Sequence, residues 1–252
     1  MANIVLVPGF WLGGWAWADV AAPLRAAGHT VHTPTLTGLG ERVHLGGPQT
    51  DLATHITDIV NLLVFEQLTD VILVGHSYAG SNVTISVADR VPERIARLVY
   101  VDTAPLPEGM SQADFLGPEQ REHNQQLVTA QGDGWRLPVP TFEALGPPPI
   151  IAGLGEAEWA RMSERATPQP WRAAIAPNRL SNPARNAIPA LGILCTFTEA
   201  DVRGMAASGS PVFAEISGPQ WTFTELPTGH WPMFSKPAEL AAIIGEVAAG
   251  KR

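Results

Sequence analysis

Apolar residues, many of them β-branched, gather along the chain into six short runs: residues 3–7, 30–33, 71–74, 97–101, 192–197 and 221–226. These runs are rich in consecutive apolar positions, as strands buried on both faces are, and stretches with other patterns separate them. That arrangement predicts a mostly parallel sheet covered on each side. Leu52, Ile56, Ile59, Val60 and Leu63 recur at helical spacing within 51–68, as do Leu240, Ile243, Ile244 and Val247 within 237–249, which predicts two amphipathic helices. The fold class is therefore α/β, with 1–252 as a single domain.

The rhythm breaks between about 105 and 189. This stretch is rich in proline and glycine, contains Pro147-Pro148-Pro149, and spreads Trp135, Trp159 and Trp171 along its length. It is too long for a simple connection between core strands. Phe115, Leu116, Phe142, Leu145, Ile150, Ile151 and the tryptophans carry more apolar surface than a disordered linker would. Residues 105–189 thus read as an inserted cap with short helices, of the kind that shapes a substrate pocket.

Composition narrows the function classes. A net charge of -8, with Lys236 and Lys251 as the only lysines, argues against nucleic acid or an anionic membrane as partner. No apolar stretch reaches the roughly 20 residues needed to cross a bilayer. The first residues lack a basic segment and run directly into a strand pattern, so a cytoplasmic protein is expected. Cys195 is the single cysteine, in the apolar run Ile193-Leu194-Cys195-Thr196-Phe197, where it reads as a buried structural thiol. Neither a metal nor another cofactor is expected, and the reading leaves room for a homodimer.

The chemistry centres on Val71-Ile72-Leu73-Val74-Gly75-His76-Ser77-Tyr78-Ala79-Gly80. An apolar strand that ends in a serine flanked by small residues suits the sharp strand-to-helix turn that exposes a nucleophilic hydroxyl, and residues 82–89 could continue as the helix. The pattern departs from GxSxG at one place, where Ala79 stands for glycine and Gly80 follows.

A serine hydroxyl requires a base held by a third group. His230 is the best placed histidine, in the loop Pro227-Thr228-Gly229-His230-Trp231-Pro232 after the last strand pattern, at the sheet edge where ligands of open α/β sheets bind. His29 and His32 flank an early strand, His44 and His55 read as surface or capping residues, and His123 falls in a charged cap helix. His76 precedes the serine and reads as structural or steering. For the acid, Glu199 follows the penultimate strand most closely; Asp102 is the main rival and Asp201 a lesser one, all in the chain order serine, acid, histidine.

Backbone donors must also meet the developing oxyanion. The Tyr78 amide is one, and the Phe10 amide, in Pro8-Gly9-Phe10-Trp11-Leu12-Gly13-Gly14-Trp15, is the other. Trp11, Tyr78 and Trp231 are expected as pocket walls. The glycines of this first loop do not form GxGxxG, and no GK[ST] follows them.

The first loop with Val5-Leu6-Val7 before it, the serine turn, the stretch from Asp102 to Gly109, and Gly229-His230-Trp231-Pro232-Met233 resemble the α/β-hydrolase superfamily, and within it the small esterases similar to plant hydroxynitrile lyases and methyl-ester esterases. The resemblance implies an eight-stranded, mostly parallel sheet with a cap between strands six and seven, and it supports Ser77, His230 and Glu199 as a triad. The lyases of this group use a lysine shortly after the catalytic histidine, whereas Trp231, Pro232 and Met233 stand there in this chain. The expected function is a serine hydrolase for a carboxylic ester or lactone of a small, largely apolar substrate. A non-catalytic small-molecule receptor on the same fold, and a cofactor-free lyase or perhydrolase, are the alternatives.

Overall fold

In a computed structural model, which describes residues 1–251, the six apolar runs become six parallel strands. They are β1 Asn3–Val7, β2 Thr30–His32, β3 Val71–His76, β4 Ile95–Val101, β7 Ala190–Leu194 and β8 Trp221–Glu225, in the order β2-β1-β3-β4-β7-β8. Between β4 and β7 lie two further strands of two residues each, β5 Arg136–Leu137 and β6 Gln169–Pro170, paired antiparallel with each other. The main sheet thus has six strands where the resemblance implied eight. The long segment interrupts it between its fourth and fifth strands, not between a sixth and a seventh. The six strands are the six runs seen in the sequence, and β5 and β6 form a separate two-stranded sheet.

Alternate residues of each central strand feed two cores. Ile4 and Leu6, Ile72 and Val74, and Val99 and Val101 face one side, with Val20, Leu24, Leu240, Ile244 and Val247 packed over them. Val5 and Val7, Val71 and Leu73, and Leu98 and Tyr100 face the other, under Ile56, Ile59 and Leu63. Truncating any one of these side chains to alanine would cost about 2–5 kcal/mol. The predicted helices are Leu52–Phe65, started by a capping box of Asp51 and Thr54, and Pro237–Ala248. Among the described residues no helix is long and apolar enough to cross a membrane.

The segment between β4 and β7 carries several helices, including Gln112–Phe115, Pro118–Gln131, Pro148–Ile151 and Glu156–Ser163. It lies over the carboxyl ends of the strands. Ile150 and Ala152 accept hydrogen bonds from the His230 and Gly229 amides at 2.8 and 2.9 Å, so this segment also holds the loop that carries the histidine. A Cβ on Gly229 would stand 2.5 Å from both carbonyl oxygens, so only glycine permits that approach.

Candidate active site

β3 and β4 are neighbours in register, His76 beside Val101, so the residues that follow them, Ser77 and Asp102, leave the sheet side by side. Both turn with positive φ, 52° at Ser77 and 48° at Asp102. Non-glycine residues take that conformation at a cost of about 1–3 kcal/mol, and it persists where the surroundings enforce it. At Ser77 they do: its amide donates to Val101 O at 3.3 Å, and the chain winds directly into a π-helical turn over Ala79–Thr84 before the α-helix Ile85–Arg90. The predicted helix over 82–89 therefore begins in this wider turn.

The alanine in place of the last motif glycine is explained by packing. A Cβ on Gly75 would lie 2.7 Å from Gly80 Cα, and one on Gly80 would lie 2.3 Å from Thr103 Cγ2. The closest approach of strand to helix is thus made by Gly75 and Gly80, and Ala79 fits as a buried residue beside them.

His230 reaches this point from the loop after β8. Its Nε2 lies 2.9 Å from Ser77 Oγ, and its Nδ1 lies 2.6 Å from Asp102 Oδ2. Asp102 is held from the far side. Cys195 and Thr196 donate their amides to Oδ1 at 3.0 and 2.9 Å, and the Thr196 hydroxyl lies 3.0 Å from both carboxylate oxygens. Burial pushes the Asp102 carboxyl up, but the hydrogen bond and charge of His230 and the two amides pull it down further, and it ends below its ordinary value.

Glu199 is not the carboxylate beside His230. It opens the helix Glu199–Ala207, where its carboxylate takes Arg203 Nε at 2.8 Å and its amide donates to Glu225. Asp201 closes a capping box with Thr198 on the same turn. Chain order allowed all three acids; strand register brings Asp102 to His230, because β4 and not β7 adjoins the serine strand.

His76 stands behind the pair. Its Nε2–H donates to the His230 carbonyl oxygen at 2.7 Å, and the two rings are 4.8 Å apart. Burial, reinforced by the neighbouring His230, pushes its imidazole down to about 3, so His76 is neutral at any ordinary pH. It holds the backbone of the histidine loop, where the sequence suggested a structural or steering role.

The Gly9-Phe10-Trp11 loop lies against the serine, for a Cβ on Gly9 would be 2.9 Å from Ser77 Cβ. Phe10, Trp11 and Trp231 line a cavity of about 430 Å³ that opens over Ser77 and His230. Leu106, Phe115, Leu145 and Ile150 of the inserted segment cover it, and Val202, Phe213 and Phe223 extend it towards the sheet edge. That size lies within the range of pockets for small organic ligands, and the lining is mostly apolar.

The Tyr78 side chain is no pocket wall. It is fully buried in the opposite core, its hydroxyl 3.0 Å from His55 Nδ1, and His55 Nε2–H donates to Thr37 O at 2.9 Å. His55 is therefore a buried bridging residue, where the sequence suggested a surface or capping role. Its position three residues after Leu52 and four before Ile59 was the available signal. Cys195 is buried, and burial pushes its thiol up, as befits a structural residue. Among the described residues no three His, Cys, Asp or Glu side chains converge as a metal site requires.

The sequence profile described as the alpha/beta hydrolase family matches residues 4–243. Over 102 residues the chain is 56% identical to a carbendazim hydrolyzing esterase of Nocardioides sp. (strain SG-4G), a match that spans 40% of this chain and 42% of that one. It is 26% identical over 269 residues to Methylesterase 3 of Arabidopsis thaliana, covering 98% of this chain and 95% of the relative. An extracellular α/β-hydrolase from a Paenibacillus species, described as sharing structural and functional homology with tobacco Salicylic Acid Binding Protein 2, superimposes with a TM-score of 0.79 at 24% identity over 98% of both chains. The chain belongs to the α/β-hydrolase family.

Proposed function

We propose that this protein is a serine hydrolase that cleaves a carboxylic ester or lactone of a small, largely apolar substrate. The observation that carries the reading is the continuous line Ser77 Oγ, His230, Asp102 at 2.9 and 2.6 Å, opening into an apolar cavity. Esterases among its relatives, including the carbendazim hydrolyzing esterase and Methylesterase 3, support it.

His230 Nδ1–H donates to the ionised Asp102, which leaves Nε2 as the acceptor for the Ser77 proton. As Oγ bonds to the carbonyl carbon, negative charge develops on the carbonyl oxygen. The amides of Phe10, in the loop that lies against Ser77, and of Tyr78, directly after it, meet that charge; among the described residues neither donates to another backbone acceptor. The carbon–oxygen bond to the alcohol then breaks, and His230 returns the proton to the departing alkoxide. Water, deprotonated by His230 in turn, attacks the acyl-enzyme and releases the acid. Trp11 and Trp231 hold the apolar part of the substrate, and no cofactor takes part.

Incubation with a fluorophosphonate probe and assay on short p-nitrophenyl esters test the reading. Labelling at Ser77, lost in Ser77→Ala together with turnover, is the expected result. An unlabelled serine and no turnover on any ester would assign the fold to ligand binding without catalysis.

A further inference from the structure

Within the cavity, Gln112 sits among apolar neighbours and belongs to a buried polar chain that the proposed hydrolysis does not use. Gln112 is 8% exposed and Asn82 and Asn178 are wholly buried. Which atom of each side-chain amide points where follows from counting protons.

The count starts at Asn178. Its amino group donates to two backbone carbonyls, Leu106 O at 2.8 Å and Ser81 O at 3.2 Å, so its oxygen faces Asn82 and accepts from Asn82 Nδ2 at 2.8 Å. The Asn82 oxygen is thereby turned to Ser81 Oγ, 2.9 Å away, its one donor among the described residues. Ser81 has a single hydroxyl proton; Tyr78 O, 3.3 Å away, is the more distant acceptor, and the buried Asn82 oxygen takes the proton, because an unsatisfied buried acceptor costs about 1–3 kcal/mol. The Gln112 side-chain oxygen stands 2.5 Å from Ser81 Oγ, but with the Ser81 proton committed to Asn82 that position requires a donor, so the Gln112 amide is turned over and its NH2 placed there. The length alone would suit an O–H donor, but the proton count does not allow one. Gln112 therefore gives its NH2 to Ser81 and turns its oxygen to the cavity.

We infer that Gln112 is a specificity-determining residue whose amide oxygen accepts a hydrogen bond from an O–H or N–H group carried by the substrate, beside an otherwise apolar body. This rests on the hydrolase reading and names its substrate class more closely. The placement fits: Ser81 lies one turn after the nucleophile, its amide donating to Ser77 O at 2.9 Å, so Gln112 stands over the first turn beyond the reacting hydroxyl.

The test uses p-nitrophenyl esters of 3- and 4-hydroxyphenylacetic acid, each against its methoxy counterpart, which keeps the oxygen and removes the donor. For the wild-type protein, kcat/KM is expected to favour the hydroxy ester at one or both positions by roughly three- to tenfold, the range of a neutral hydrogen bond. In Gln112→Met the ratio should fall to about one. Ser81→Ala, which releases the amide from its anchor, should shrink it as well, and fluorophosphonate labelling reports that each variant retains a competent Ser77. The inference is overturned if the wild type prefers neither hydroxy ester, if it prefers the methoxy esters, or if Gln112→Met keeps the preference. Turnover of all four esters without discrimination removes the inference and leaves the hydrolase reading standing. No turnover of any, with Ser77 unlabelled, removes both.

Discussion

Two strand ends in this molecule are followed by an acid that chain order allows as the partner of His230, and they are built in opposite ways. At the end of β4, Asp102 is bent into positive φ, its side chain is 1% exposed, and its oxygens are saturated by two amides, a hydroxyl and an imidazole. Beyond the end of β7, Glu199 has a side chain 38% exposed, starts a helix, and pairs with an arginine four residues on. Both follow a core strand and both precede His230. What separates them is lateral order: β4 lies against the serine strand and β7 one place further out. The carboxylate that meets His230 is placed there by register and desolvation, more than by its place along the chain.

The largest effect that would break this contrast is on turnover. Asp102→Asn keeps the shape but presents an amide to His230, which no longer holds the imidazole with its acceptor nitrogen towards Ser77. A loss in kcat of about 10⁴-fold is expected on a p-nitrophenyl ester, with little change in KM. If Asp102→Asn retains more than a tenth of wild-type kcat, the buried carboxylate is structural and the contrast collapses.

A second effect comes from the end of β3, beside Asp102, and reads as stability. His76 titrates at about 3 in the folded protein and near 6.5 when unfolded. As pH falls below 6.5 the unfolded chain binds a proton that the folded protein refuses, so stability is present above that value and is lost towards pH 3. The slope approaches 1.4 kcal/mol per pH unit, or about 3 kcal/mol by pH 4.5. The depressed carboxyl of Asp102 acts in the same direction but only below the ordinary carboxylate range. Urea unfolding at pH 7.5, 6 and 5 should show this loss in the wild type and a flatter dependence in His76→Gln. Equal slopes in the two proteins would mean that His76 is protonated in the fold.

These contrasts mark where sequence sufficed and where it did not. The six strands were legible because strands buried on both faces leave dense apolar runs. Ser77 and His230 were legible because local chemistry announces them: small residues around one, a glycine-rich loop before the last helix around the other. Asp102 was not distinguished, since the lateral order of parallel strands leaves no trace in the spacing of their residues. One signal was present all the same. Thr198 and Asp201 form a capping box, which marks Glu199 as the first residue of a helix, already committed to local contacts. The Tyr78–His55 contact and the Gln112–Ser81 contact join residues 23 and 31 positions apart, and only the fold brings them together.

A smaller effect sharpens the β4 side. Among the described residues the Thr196 hydroxyl is the one side-chain donor to Asp102 besides His230, and it lies 3.0 Å from both carboxylate oxygens. Thr196→Val keeps the shape and the amide but removes this proton. Asp102 then holds His230 less firmly, and kcat should fall about tenfold, the worth of one hydrogen bond to a charged group. An unchanged kcat would show that the two amides suffice.

The smallest effect belongs to the β7 side. Glu199 and Arg203 form an exposed i,i+4 pair, of a kind that stabilises a helix by about 0.3–0.5 kcal/mol. Glu199→Gln removes the charge, keeps the length, and leaves the Glu199 amide on Glu225. Turnover within twofold of wild type, and a melting temperature lower by a degree or two, are expected. The pair with Asp102→Asn is what gives the measurement its force, since one protonatable oxygen is replaced by nitrogen at each of two strand ends. Should Glu199→Gln lose a hundredfold in kcat while Asp102→Asn loses little, the working carboxylate would be the one selected by chain order. The helix that begins at Glu199 would then have to unwind from Thr198 during turnover to bring that side chain to His230.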